Sequence, residues 1–129
     1  MQIDSVRVTR DSLNRADELK APHEEVVAVT GKTTVEELLA DVYKKLKAAN
    51  RAYESATWSI TSRRPLAVVS DQWDTPRILL RSVRRIEDTV VVQDNTAYLH
   101  FCLHPGVDPD TLHQTLDRLS FPYLGATTT

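Results

Sequence analysis

The clearest periodicity in the chain lies just after Thr34, where Val35, Leu38, Leu39, Val42, Leu46 and Ala49 recur at intervals of three and four residues. That spacing places a single apolar stripe along a helix. Thr34 and Glu37 form a Thr-x-x-Glu capping pattern, and Glu36 and Glu37 fall in the first turn. Lys44, Lys45 and Lys47 fall near the last turn, the arrangement the helix dipole favours. Asn50 supplies a left-handed stop, so a helix is expected over residues 34–49.

Elsewhere the pattern shortens to runs rich in β-branched residues. Residues 2–10 read as a first strand, residues 11–23 as a loop, and residues 25–30, closed by Gly31, as a second strand. Residues 57–60 and 66–69 flank a polar turn and read as a hairpin. Further strands are expected over 77–80, 89–92 and 96–103, the last entered through an Asp94-Asn95 turn. In that last run Leu99, Phe101 and Leu103 alternate with Tyr98, His100, Cys102 and His104, so the two sets occupy opposite faces. Asp108 as N-cap, Pro109 in the first position and Leu112, Leu116 and Leu119 as stripe predict a second helix. The fold class is therefore α+β: a mixed sheet packed on one main helix, with an inserted hairpin and a second C-terminal helix. A single domain is expected over residues 1–124, with a flexible tail at 125–129.

Composition narrows the function classes. The chain has 129 residues, 41% apolar and 26% charged, the balance of a globular domain able to bury one core. A net charge of −2 gives no overall attraction to nucleic acid or anionic lipid. One cysteine, Cys102, excludes an internal disulfide and makes the cytoplasm the expected compartment. The start, Met1 to Arg7, carries charges where a signal peptide needs an apolar run, and no apolar stretch approaches the roughly 20 residues of a membrane span.

The order strand, strand, helix, further strands is that of a β-grasp, and several segments resemble ubiquitin. The chain begins Met-Gln-Ile, and Thr30-Gly31-Lys32-Thr33 is similar to ubiquitin's first turn. Arg77-Ile78-Leu79-Leu80 with Arg85-Ile86-Glu87-Asp88 resembles its third strand and the Leu-Glu-Asp after it; residues 96–103 resemble its last strand. The resemblance implies a β-grasp-like scaffold that binds proteins through the outward residues of those strands, here Leu79, His100 and Cys102. The chain ends Leu124-Gly125-Ala126-Thr127-Thr128-Thr129, without the diglycine that covalent conjugation requires, so only non-covalent binding is implied.

Candidate chemistry is sparse. Thr30-Gly31-Lys32-Thr33 lies between a strand and a helix as the end of a P-loop would, but Val26 stands where the first loop glycine is needed. A tight turn before a helix cap accounts for it, and nucleotide binding is not expected. His100-x-Cys102-x-His104 offers zinc-type donors on one strand face. Residues two apart on a strand are almost 7 Å apart, however, so a site would need a further ligand, such as a carboxylate, from a neighbouring strand. No metal and no cofactor are expected. A Cys102 nucleophile would need a base and oxyanion donors that no motif supplies, so an enzyme ranks third among the readings. Arg63, Arg64, Arg77, Arg81, Arg84 and Arg85 form a basic stretch suited to carboxylate or phosphate, and Trp58 and Trp73 bracket the hairpin. Trp58 is expected in the core and Trp73 on the surface.

The function expected from these residues is a non-catalytic protein-interaction module: an adaptor, a regulator or an antitoxin- or immunity-like inhibitor, as monomer or homodimer. Its partner-binding residues are expected to be Trp73, Arg77, Leu79, Arg81, His100 and Cys102, brought together by pairing of the 77–81 and 96–103 strands. The alternative is a nucleic-acid or phosphate-binding accessory domain that uses the arginines.

Overall fold

The computed structural model describes residues 3–13, 24–31, 34–49, 51–54, 56–79 and 86–128, with side chains except at 54, 87, 88 and 120–128. Seven strands form one open mixed sheet. They are β1 (Ser5–Arg10), β2 (Glu24–Ala28), β3 (Trp58–Thr61), β4 (Pro65–Val69), β5 (Arg77–Ile78), β6 (Val91–Gln93) and β7 (Thr96–Leu103). The helices are α1 (Val35–Ala49), the single turn α2 (Ile86–Thr89) and α3 (Pro109–Thr128), with a 3-10 turn at Arg51–Glu54. The α+β class and the β-grasp-like arrangement thus hold. The strand expected at residues 89–92 begins only after a helical turn, and α3 continues to Thr128 over the positions where a flexible tail is expected.

The order across the sheet is β2-β1-β7-β3-β4-β5, with β6 also paired to β7. β7 is long enough to serve two neighbours on one side. Its first half pairs with β6 (Val91↔Tyr98 to Gln93↔Thr96) and its second half with β3 (Thr61↔His100 to Trp58↔Leu103). Ser62 closes the gap between those two neighbours: its hydroxyl donates to the Tyr98 carbonyl and accepts the Val91 N–H, each at 2.7 Å. On its other side β7 runs parallel to β1, from Ser5↔Thr96 to Arg10↔Phe101. Asp94 and Asn95, both at positive φ (52° and 60°), make the tight turn between β6 and β7.

This order corrects one expectation. Arg77–Ile78 pairs with β4 at the edge of the sheet, and β3, from the hairpin, occupies the place beside β7. The 77–81 and 96–103 segments are therefore not neighbours. β5 also ends after two residues, although Leu79 N–H still donates to the Leu66 carbonyl at 2.9 Å.

The core lies between the sheet and α1. Val35, Leu38, Leu39, Val42, Tyr43 and Leu46 line the buried helix face, as the periodicity requires. Thr34 caps it reciprocally: its hydroxyl accepts the Glu37 N–H at 3.2 Å, and Glu37 Oε1 accepts the Thr34 N–H at 3.3 Å. Phe101 is the centre of the core. Tyr43 stacks on it at 6.3 Å between centroids, and Tyr53 and Trp58 meet it edge-on at 5.0 and 6.2 Å. Such pairings add to simple burial and fix ring positions. Trp58 is fully buried, as expected.

α3 packs on the opposite side, against β4. Asp108 Oδ2 accepts the Thr111 N–H at 3.0 Å, the expected N-cap. Arg77 pairs with Asp110 at 2.6 Å, and His113 Nε2 lies 3.1 Å from the Ile78 carbonyl. Val68, Leu79 and Leu112 are buried outside the main core cluster, in keeping with a small second layer under α3.

Replacing Leu39 by Ala should therefore cost about 2–5 kcal/mol, whereas Thr34→Ala should cost only about 1 kcal/mol. Urea denaturation of both variants measures the difference; a Leu39→Ala loss no larger than that of Thr34→Ala would show that α1 does not seat the core.

Candidate functional site

Because Leu99 and Phe101 are fixed in the core, Tyr98, His100 and Cys102 must project from the other face of β7. All three are half-buried there. The cross-strand register decides what stands beside them. Tyr98 lies between Arg7 and Val91, and His100 between Thr9 and Thr61. Cys102 pairs with Ser59. One step beyond β1, Asp11 N–H donates to the Phe101 carbonyl at 3.1 Å, which carries the parallel register on and sets its carboxylate over β7.

The result is a polar network on an open sheet face. Asp11 Oδ1 lies 3.0 Å from His100 Nε2, and Asp11 Oδ2 accepts the Leu103 N–H at 2.8 Å. Thr9 Oγ1 lies 2.7 Å from His100 Nδ1. A carboxylate only accepts, so in the neutral ring Nε2 carries the proton and Nδ1 accepts the Thr9 hydroxyl. Thr61 Oγ1 is 3.8 Å from Cys102 Sγ, and Ser59 Oγ is 2.8 Å from His104 Nε2. The Asp11, His100 and Cys102 donor atoms all lie within 4.8 Å of one another.

Two groups here titrate away from their ordinary range. Burial by itself would raise the Asp11 carboxyl, but the Leu103 amide, the His100 ring and the charge on His100 and His104 bring it below 3.8. His104 is pushed below 6.5 by burial, with Asp11 opposing.

Thr9, His100 and Asp11 also form a hydroxyl–imidazole–carboxylate series, the group order of a nucleophile, a base and its orienting acid. Acyl transfer needs free N–H groups aimed at the developing oxyanion as well. β1 and β7 are inner strands whose amides serve the ladders on both sides, so among the described residues the strands offer no such pair beside Thr9.

The residues expected to form one binding patch divide into two places. His100 and Cys102 are on the open face. Arg77 is in register with Val68, Ser59 and Cys102, three strand spacings or roughly 14 Å from the last. α3 packs against β4, which lies between β5 and β3. Trp73 is half-exposed in the loop before β5, with the Arg77 guanidinium stacked over its ring at 3.8 Å. Leu79 is fully buried next to the α3-covered end of the sheet, its N–H bonded to the Leu66 carbonyl, and so it cannot belong to an exposed patch. Arg81 lies outside the described residues, as do Arg84 and Arg85. Arg63 and Arg64 sit in the β3–β4 turn, away from Arg77 at the level of Val68, so these three do not converge.

Asp11 is the member of this network that sequence reasoning misses. It sits in a segment that reads as loop, and only the β1–β7 register brings it to His100, 89 positions away. Arg7, Thr9 and Thr61 join the face for the same reason. No family model matches the chain, and no curated protein or solved structure is similar to it. Among the described residues, no helix is long and apolar enough to cross a membrane.

Both lowered groups make acid destabilising. As pH falls below 6.5 the unfolded chain takes up the His104 proton before the folded one, so stability declines there; Asp11 repeats this below 3.8. Urea midpoints followed from about pH 7 to pH 3 should thus show two declines. His104→Gln should flatten the first and Asp11→Asn the second, and an unchanged slope just below 6.5 in His104→Gln would refute the assignment.

Proposed function

We propose that this domain is a non-catalytic protein-binding module whose working surface is the open face of β2, β1, β7 and β6. The carrying observation is one row of side chains in register across four strands: Val26, Arg7, Tyr98 and Val91. Val26 is 61% exposed and Val91 37% exposed, two of the few large apolar side chains left in water among the described residues. Arginine and tyrosine between aliphatic flanks is the composition of interface centres, where aromatic and guanidinium groups carry much of the binding energy.

Beside this row lies a shallow concavity of about 200 Å³, lined by Arg7, Thr9, Thr61, Ser62, Val91, Tyr98, Leu99 and His100. It has room for one large apolar side chain of a partner, with His100 in its wall and Cys102 two residues further along β7. Arg7, held loosely by Glu24 at 3.4 Å with both side chains about half exposed, is available to a partner carboxylate. The stacked Trp73–Arg77 pair would serve as a separate contact. An adaptor, regulator or antitoxin-like inhibitor in a reducing compartment fits this reading, as does kinship with ubiquitin-like domains, which the parallel β1–β7 pair supports. The free Cys102 is consistent with the cytoplasm.

The test is capture of a partner from native lysate treated with nuclease, using wild type and the double variant Arg7→Glu, Tyr98→Ala as bait. The variant should remain folded by circular dichroism, with a cooperative melt, and lose the partner that wild type retains. Retention of the same partner by the variant would refute the surface. Capture of RNA alone, falling steeply with salt, would transfer the function to nucleic-acid binding.

A further inference from the structure

We propose that Asp11, His100 and Cys102 form a zinc site on the open sheet face, adjoining the concavity beside the protein-binding row and argued from its own donor geometry. β7 alone supplies only two donors, His100 and Cys102, whose side chains converge to within 4.8 Å although their backbone positions are about 7 Å apart. The parallel pairing of β1 with β7 adds the third, the Asp11 carboxylate. Tetrahedral zinc with N, O and S ligands has ligand–ligand edges of about 3.3–3.7 Å, given metal–ligand distances of about 2.0–2.3 Å. Here the nitrogen–oxygen edge is 3.0 Å and every separation is within 4.8 Å, so a side-chain rotation of about 1 Å closes the set.

The donors are also oriented from behind. Asp11 Oδ2 is occupied by the Leu103 N–H, which leaves Oδ1 directed at His100. His100 Nδ1 faces the Thr9 hydroxyl at 2.7 Å, so the ring proton can move to that side and donate to Thr9 when the metal takes Nε2. Backing of a ligating imidazole by a hydrogen-bond partner is the usual outer shell of zinc sites. The Thr61 hydroxyl donates to the His100 carbonyl at 3.3 Å and lies 3.8 Å from the Cys102 sulfur, which fixes the strand between the two β7 donors. Thiolate with imidazole and carboxylate is a borderline-soft set that favours zinc over calcium or magnesium.

Binding balances simply. Zn²⁺ replaces the proton shared between His100 and Asp11, which stays on the ring at Nδ1, and the Cys102 thiol loses its proton to solvent as the Zn–S bond forms. Near neutral pH about one proton is released per ion. Three protein ligands leave one coordination position, and since His100 and Asp11 are 39% and 47% exposed, that position is open to water.

Titration of the reduced protein with Zn²⁺ alone, by calorimetry in buffers of different ionisation enthalpy, tests the site. The expected result is one ion per chain, a dissociation constant of about 1 µM or tighter, and release of about one proton. Cys102→Ser keeps the side-chain shape and should weaken binding at least about 10-fold, while Thr9→Val should weaken it about 10-fold with the stoichiometry kept. With Co²⁺ the wild type should show a thiolate-to-metal charge-transfer band that Cys102→Ser lacks. Absence of binding at about 100 µM Zn²⁺, or equal affinity in wild type and Cys102→Ser, would overturn the site. Circular dichroism of each variant identifies any loss that comes from unfolding, and zinc titration of the double variant Arg7→Glu, Tyr98→Ala, which alters the binding row and keeps all three ligands, separates this site from that row.

Discussion

Parallel pairing of β1 with β7 is the constraint on which the rest of this molecule depends. It joins segments about 90 positions apart, with the Ser5 and Thr96 hydroxyls 3.2 Å apart across 91 residues. Closing so long a loop carries an entropic cost that rises only slowly with length, and burial along the seam offsets it. Val6, Val8, Ala97, Leu99 and Phe101 all enter the core from these two strands. Both ends of the seam are fastened as well: Asp4 N–H donates to the Asn95 carbonyl at 2.9 Å, and Asp11 N–H to the Phe101 carbonyl at 3.1 Å. Contacts this distant in sequence form slowly, so the seam is expected to be a late event in folding.

The same seam divides the labour of the two sheet faces. On the core side, aromatic packing around Phe101 leaves β7 no rotational freedom. On the other side, that rigidity is passed to His100 and Cys102, which are held by the strand rather than by a loop. α3 covers the β4–β5 end, where Asp110 meets Arg77 and His113 meets the Ile78 carbonyl, while Arg7 and Val26 stay exposed at the β2–β1 end. A face rigid from behind and uncovered in front suits recognition, because little side-chain and backbone freedom remains to be lost on binding.

What could be read in the sequence was what is local. α1 announced itself through a capping pair three residues apart and a stripe of period 3.6, and the structure places it at Val35–Ala49. β7 was legible because Leu99, Phe101 and their polar neighbours alternate without a break. Pairing was not legible. Arg77 to Leu80 has the alternation of a strand on the partner-binding face, yet Leu79 is buried and the strand ends at Ile78. Asp11 looked like the start of a loop, since nothing within ten residues of it hints at His100 or Leu103. The alternation along β7 supplied two donors of the metal set, and the register supplied the third.

The edges of the sheet differ in a way that bears on self-association. Ile78 is the residue of β5 whose backbone groups face away from β4, since Leu79 takes the bond to Leu66, and its carbonyl is met by His113 from α3. That margin is therefore blocked to an incoming strand. β2, at the other end of the order, carries no such cover among the described residues. Fibrillar growth by edge-to-edge addition needs two receptive margins, one to accept and one to offer. With the β5 margin sealed, strand addition between the two ends of this path stops at two copies joined β2 to β2, a two-fold pair.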